Sequence, residues 1–170
     1  MSTAVDDEGY VNGIYPQSPK NAATVAATGT ITTFKALTFN GYGKITAPTG
    51  KLFDINSFYM GCGLYQGNPK LPGIPIVCGV SIIGYDKDKN QKTVKSINYS
   101  PQTQANLNDP NVLTKPFPGD RMIEVKLSSS DVDDDFTGLS SAVFGIATGG
   151  LGAPSTLLDV DNISFCLYSK

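Results

Sequence analysis

The segment from Lys51 to Tyr65 (KLFDINSFYMGCGLY) constrains the fold of this chain more than any other. Its large apolar residues alternate with a period of two, as the side chains of a β-strand do, but the alternation changes parity in the middle. Phe53 and Ile55 share one parity, and Phe58 and Met60 share the other. All four can face one core only if a β-bulge shifts the register. We therefore predict a central, mostly buried strand that bends at the Asn-Ser pair between them.

The remainder of the chain has the composition of an all-β protein. Its 170 residues include 18 Gly and 11 Pro, and only 16% are charged, which fits a turn-rich domain with few exposed helical faces. β-branched or alternating segments such as Thr30–Phe39, Ile76–Tyr85 and Met122–Leu127 predict strands. We predict one antiparallel β-sandwich over residues 29–170, with about eight strands, little helix and the strand count of a jelly roll. For residues 1–28 we predict an irregular N-terminal arm.

Charge and residue types argue against several kinds of function. The net charge is −2 and Arg121 is the only arginine, so no basic stripe favours nucleic acid as a partner. No apolar run approaches the length of a membrane span. The chain has no histidine, which excludes Ser-His-Asp and Cys-His catalysis and disfavours a zinc site. Carboxylate-based catalysis stays open, although no pair of acids stands in a recognisable context.

The three cysteines lie in predicted strands. Cys62 and Cys78 flank a loop rich in Gly and Pro, as a connection should be. A disulfide closing that loop would stabilise the fold by roughly 3 kcal/mol, and the alternative is two buried thiols. Cys166 is left over, and we expect it to be a buried free thiol in the last strand.

Three segments together resemble a known group of proteins: Phe39–Cys62, Val80–Asn90 and Leu157–Tyr168. They are similar to secreted fungal jelly-roll proteins that resemble carbohydrate-binding modules of the galactose-binding-like type. The N-terminal part departs from that pattern. The resemblance implies an extracellular location and a binding role. The first residues lack the features of a signal peptide, so the protein either stays inside the cell or is secreted with its signal removed; we expect the second.

Carbohydrate binding by a sandwich requires aromatic rings that stack on sugars, with amide side chains beside them. The chain has no Trp, so Tyr would have to serve. Two predicted loops combine a tyrosine with amides, and they supply the candidate ligand-binding residues Tyr65, Gln66, Asn68, Tyr99, Gln102 and Gln104. The alternative is that these tyrosines pack over the edge of the core.

Acidic residues near the two ends of the chain raise the question of a metal. In the group that this chain resembles, an aspartate of the closing strand helps to hold a structural Ca²⁺ together with the N-terminal segment. The resemblance therefore implies a calcium site on Asp159, Asp161 and Asp7, since Ca²⁺ takes six or more oxygen ligands. The alternative is that both strand aspartates face solvent or cap backbone amides.

The parity of the final strand makes a further prediction. Asp159, Asp161, Ile163, Phe165 and Leu167 share one face of a regular strand. We predict that the three apolar residues face the core and that the two aspartates lie at the rim of the sandwich.

The leading functional hypothesis is a secreted, non-catalytic module that binds a glycan or another cell-surface component. The second is an effector or structural protein whose target is another protein, and the third is a polysaccharide-acting enzyme that uses carboxylates. Asn98 begins a glycosylation sequon at a strand end, plausible in a secreted protein. A second sequon at Asn162 lies inside a predicted strand, where we expect no glycan.

Overall fold

The structure, a computed structural model, describes residues 14–15, 17, 23–26, 42–64, 73–102, 120–127, 135–149 and 156–169. These residues form strands and no helix, which confirms the all-β prediction. In chain order the strands are β1 (Ile14–Tyr15), β2 (Ala23–Ala26), β3 (Tyr42–Thr46), β4 (Lys51–Leu64), β5 (Ile74–Pro75), β6 (Cys78–Tyr85), β7 (Gln91–Tyr99), β8 (Asp120–Arg121), β9 (Ile123–Lys126), β10 (Ser141–Gly149) and β11 (Thr156–Ser169). No helix able to cross a membrane occurs in this part of the chain.

Two antiparallel sheets pack against each other around one apolar core. The four-stranded sheet has the order β3-β10-β6-β7. The five-stranded sheet has the order β2-β11-β4-β5, and β9 also pairs with β4. The longer strands alternate between the two sheets for most of the chain, which confirms the antiparallel sandwich. Jelly-roll connectivity depends also on connections outside the described residues, and it stays a prediction.

Strand β4 is the central, buried strand that the phase change predicts. Its register against β11 shifts at two neighbouring points, and Ser57 and Ile55 oppose the consecutive residues Ser164 and Phe165. Asn56 is therefore the extra residue of a β-bulge, and the apolar residues on both sides of it are buried. On its other side β4 is covered along its length by β9, β5 and backbone hydrogen bonds from residues 136–139.

The closing strand β11 departs from the regular strand that parity predicts. Asn162 has a φ of +45° at an irregularity in the pairing with β4, and this irregularity changes the parity of the strand. Beyond it, Phe165 and Leu167 oppose Ile55 and Phe53 and so share their face, but they are 56% and 43% exposed. They are therefore not core residues. In the described chain, β2 pairs with β11 only as far as Val160.

The two aspartates of β11 were expected at the rim, and that expectation is wrong. Asp159 is fully buried and Asp161 is 8% exposed. Asp159 opposes Gly61, and a Cβ built on Gly61 would lie only 2.7 Å from the Ile14 side chain. The N-terminal segment thus covers the outer face of the sheet at this point. The alternation of residues along β11 cannot by itself predict that a distant segment of the chain buries this face.

The disulfide between Cys62 and Cys78 is present, as predicted, with a Cα–Cα distance of 6.2 Å. It joins β4 to β6 and therefore cross-links the two sheets. Between the sheets, the rings of Phe58 and Phe144 meet edge to face at a centroid distance of 5.2 Å. Cys166 is free, but it is exposed rather than buried, because it lies in the uncovered half of β11.

The N-terminal region contributes more to the fold than an irregular arm would. Ala23–Ala26 forms β2 and extends the five-stranded sheet beside β11. Ile14 is fully buried in the core, and β1 pairs in parallel with β8. The predicted strand Thr30–Phe39 lies outside the described residues.

Candidate functional site

A prominent concave feature of the described surface is an open groove of about 700 Å³ at one end of the sandwich. Its floor is the outer face of the four-stranded sheet, and its walls are the β3–β4 turn and the β6–β7 turn. The lining residues are Lys44, Thr46, Ala47, Pro48, Thr49, Gly50, Lys51, Leu52, Tyr85, Lys87, Lys89, Ser140, Ser141 and Val143. We call this feature the lysine groove. Its volume lies within the usual range for ligand-binding clefts.

Cross-strand pairing builds the floor of the lysine groove. Ser141 of β10 opposes Thr46 of β3 on one side and Tyr85 of β6 on the other. Directly opposed residues place their side chains on the same face of a sheet, so this row presents two hydroxyl groups and one phenol ring together. Because β10 lies between β3 and β6, the floor is roughly 10 Å wide, or two strand spacings.

The first wall is the turn from β3 into β4. The amide of Lys51 donates to the carbonyl oxygen of Pro48 at 3.0 Å, which closes a four-residue turn. Gly50 occupies the third position with a φ of +75°, a conformation that favours glycine and is required there by a type II turn. The turn delivers Thr49 and the Lys51 ammonium group to the edge of the groove.

The second wall is the turn from β6 into β7, which Asp86 organises. Its carboxylate accepts hydrogen bonds from the backbone amides of Asn90 at 2.9 Å and Asp88 at 2.8 Å. The hydrogen bond from the backbone amide of Asn90 makes the largest contribution to holding the pKa of Asp86 below its usual value. Lys89 has a φ of +67° in this turn, a backbone conformation that a side chain with a Cβ rarely adopts.

Ser140 holds the two walls together at the start of β10. Its carbonyl oxygen accepts from the amide of Ala47 at 2.8 Å, on the side of the first wall. Its own amide donates to the carbonyl oxygen of Tyr85 at 2.9 Å, and its hydroxyl donates to the carbonyl oxygen of Asp86, on the side of the second. The groove is therefore held in shape by backbone hydrogen bonds from both sides.

The charged residues that line the lysine groove are all lysines, and the second wall also carries the carboxylates of Asp86 and Asp88. Four lysines line the groove, and no carboxylate stands among the described lining residues. Lys87 has an ion pair with Asp88 at 3.0 Å, but both side chains are more than half exposed, so this pair is weak. The groove is thus a positively charged feature on a chain whose net charge is −2.

A smaller cavity of about 370 Å³ continues from the lysine groove past Leu52 and Lys87. Lys92 lines this cavity, but its ammonium group is engaged by the Asp135 carboxylate at 2.9 Å and the carbonyl oxygen of Thr137 at 2.7 Å. Hydrogen bonding from Thr137 and then from Lys92 lowers the pKa of Asp135. Lys92 consequently has a structural partner and is a poorer candidate for ligand binding than the groove lysines.

The structure does not bring the predicted sugar-binding residues together. Tyr99 is fully buried, its hydroxyl donates to the carbonyl oxygen of Arg121 at 3.4 Å, and burial together with nearby carboxylates raises its pKa. Its ring cannot stack on a sugar, so for Tyr99 the alternative holds, and this tyrosine packs in the core. Gln102 is exposed, and its backbone amide donates a hydrogen bond to the carboxylate of Asp120. The other four candidates, Tyr65, Gln66, Asn68 and Gln104, lie outside the described residues.

The predicted calcium ligands are only partly described. Asp159 and Asp161 lie on one strand, and Asp161 accepts a hydrogen bond from the amide of Asn162 at 2.7 Å. Asp7 lies outside the described residues. Within the described chain, no group of three or more Cys, Asp or Glu side chains is placed to hold a metal ion. The calcium site stays a prediction.

Asn98, the predicted glycosylation position, is exposed on β7, the edge strand of the four-stranded sheet. Its modification stays a prediction.

The aromatic residue of the groove, Tyr85, was not among the sequence candidates. It ends the strand Cys78–Tyr85, whose residues are apolar on both parities and read as wholly buried. A signal was nevertheless present, because Ser81, a polar residue, shares the parity of Tyr85 and marks that face as the outer one.

Comparison of the chain with protein-family models and with curated proteins finds no match. What the protein does is therefore inferred from the lysine groove itself.

Proposed function

We propose that this protein is a secreted, non-catalytic recognition module that binds carbohydrate in the lysine groove. The observation that carries the proposal is the floor of the groove, where Tyr85 stands in a row with the hydroxyl groups of Ser141 and Thr46. A phenol ring can stack on the C–H face of a sugar, while hydroxyl groups exchange hydrogen bonds with those of the ligand. The resemblance to carbohydrate-binding modules points to the same class of ligand.

Two further features support this proposal. The groove is open and is held by backbone hydrogen bonds through Ser140, so a ligand would meet a largely pre-formed surface. The disulfide Cys62–Cys78 is compatible with an extracellular protein, since such bonds persist in oxidising compartments.

The experiment is a binding screen of the purified protein against neutral and acidic polysaccharides, with two aromatic variants as a matched pair. Tyr85→Ala removes the ring from the groove, and we expect it to weaken binding by roughly two- to ten-fold. Phe165→Ala removes a 56% exposed aromatic ring from β11, where it opposes Ile55 outside the groove, and should leave binding unchanged.

Absence of binding to every polysaccharide would refute the proposed function and would leave a protein partner as the better hypothesis. Binding that Tyr85→Ala and Phe165→Ala affect equally would place the ligand outside the groove.

A further inference from the structure

We infer that the ligand of the lysine groove is an acidic polysaccharide, one that carries carboxylate or sulfate groups along its chain. This inference rests on the proposed function and specifies its ligand class. It follows from three observations: the sign of the charge in the groove, the distribution of that charge, and the conformation of one lysine.

The sign of the charge runs against the composition of the protein. Lys44, Lys51 and Lys89 line the groove and have no ion pair in the described part of the chain. Lys92, outside the groove, is by contrast engaged by Asp135 at 2.9 Å and by the carbonyl oxygen of Thr137. Positive charges held around one concavity repel each other. An anion that enters the groove is attracted by each of them and relieves that repulsion.

The lysines are distributed along the groove and belong to both of its sides. Lys44 lies on β3 and Lys51 follows the first turn, whereas Lys87 and Lys89 belong to the second turn. The strands β3 and β6 that carry the two sides are separated by β10, or roughly 10 Å. Charges on opposite walls match a polymer with a repeated charge better than they match one small anion.

The residue types also favour an acidic sugar over nucleic acid. Arginine, which binds phosphate through two parallel hydrogen bonds, does not occur among the lining residues, and the only arginine of the chain lies on β8. Lysine supplies a mobile point charge that suits scattered carboxylate or sulfate groups. The hydroxyl groups of the floor suit the uncharged part of a sugar.

Lys89 supplies the third observation. Its left-handed backbone conformation is unfavourable for a residue with a Cβ, and glycine would avoid that penalty. The main-chain hydrogen bonds of the turn do not require a lysine side chain. A strained lysine at the lip of a basic groove is therefore explained by the charge that it delivers there.

The test compares polymers that differ in charge but share a backbone. The affinity of the full chain is measured for polygalacturonate and for its fully methyl-esterified form, and for carboxymethyl and hydroxyethyl cellulose. We expect tighter binding to the charged member of a pair, and an affinity that falls as salt is raised. The double variant Lys44→Gln/Lys89→Gln should weaken that binding by roughly 4- to 25-fold, at two- to five-fold for each lost lysine.

The matched control is Lys126→Gln, which removes the same charge from β9 of the other sheet, where the lysine is 72% exposed. It should leave the affinity and its salt dependence unchanged. A single-stranded oligonucleotide of similar charge should bind more weakly than the acidic polysaccharide.

Equal affinity for the charged and uncharged polymers would overturn the acidic ligand and leave the proposed function standing. Loss of binding to all of these polymers would remove both. Equal losses in the groove variant and in Lys126→Gln, or tighter binding to the oligonucleotide, would also overturn the inference.

Discussion

The two faces of the four-stranded sheet are made from the same strands and carry opposite properties. On β10, Ala142 and Phe144 point inward and are buried against the other sheet, while Ser141 and Val143 lie in the lysine groove. Neighbouring residues thus serve different ends, because side chains alternate between faces. The inner face stabilises the sandwich, and the outer face is free to carry charge and hydroxyl groups.

This division implies that stability and binding can be changed separately. Substitutions on the inner face should reduce the free energy of unfolding and spare ligand affinity. Substitutions on the outer face should reduce affinity and spare stability. Four predictions test that separation.

Phe144→Ala should have the largest effect on stability. Phe144 is 2% exposed and meets the ring of Phe58 edge to face, so its truncation leaves a cavity between the sheets. We expect a loss of about 3–5 kcal/mol in the free energy of unfolding, measured by denaturant titration. Affinity for the acidic polysaccharide, measured where the variant is still folded, should be unchanged; a marked loss there would mean that the two faces are coupled.

Removal of the disulfide should have the next largest effect. Replacement of Cys62 and Cys78 by Ala releases the cross-link between the sheets, which is expected to be worth roughly 3 kcal/mol. The melting temperature should fall by about 6–12 °C for a domain of this size. Cys166→Ser is the control, since this thiol is free and exposed, and its melting temperature should match that of the wild type.

Lys89→Gly should change stability and binding in opposite directions. Glycine accepts the φ of +67° without strain, so the variant should be stabilised by about 1 kcal/mol while its affinity for the acidic polymer falls roughly two- to five-fold. Lys87→Gly is the matched change in the same turn at a residue without positive φ, and it should be mildly destabilised. Destabilisation of the Lys89 variant in thermal unfolding would contradict the assignment of strain.

Asp86→Asn should have the smallest effect, and this effect should disappear in acid. The folded protein holds the pKa of Asp86 below its usual value of 3.8, so the stabilisation is present above that pH and is lost as pH falls through the folded value. The melting temperature of the wild type should therefore decrease more steeply between roughly pH 4 and pH 2 than that of the variant. Parallel curves would show that the carboxylate does not stabilise the turn.

Much of the sandwich could be predicted from local patterns, because the alternation of apolar and polar residues in a strand indicates which of its faces is buried. The parity change in β4 located the bulge at Asn56, and Gly and Pro between Cys62 and Cys78 marked the connection that the disulfide closes. Each of these signals lies within one strand or one loop.

The closing strand shows where such patterns fail. The alternation of residues along β11 does not reveal the parity change at Asn162, and it does not predict that Phe165 is exposed. Asp159 is buried opposite Gly61, and the side chain that packs on Gly61 is that of Ile14, far away in the sequence. Burial by a segment that is distant in the sequence cannot be predicted from the periodicity of one strand.

The groove could not be predicted for the same reason. Its lysines lie in separate strands and turns, and only the pairing of β10 with both β3 and β6 brings them around one floor. In the sequence, Lys87 and Lys89 belong to a polar run that reads as an ordinary solvated turn.

The most direct test of the central claim is a map of the binding surface by NMR. A short oligogalacturonate is titrated into the isotopically labelled protein, and the amide shifts are followed. We expect the largest changes in residues 44–52, 85–90 and 140–143, which form the floor and walls of the lysine groove, with little change around Phe165 and Leu167 at the uncovered end of β11. Shifts centred on that end of β11, or spread evenly over the surface, would contradict recognition of an acidic polysaccharide by the groove.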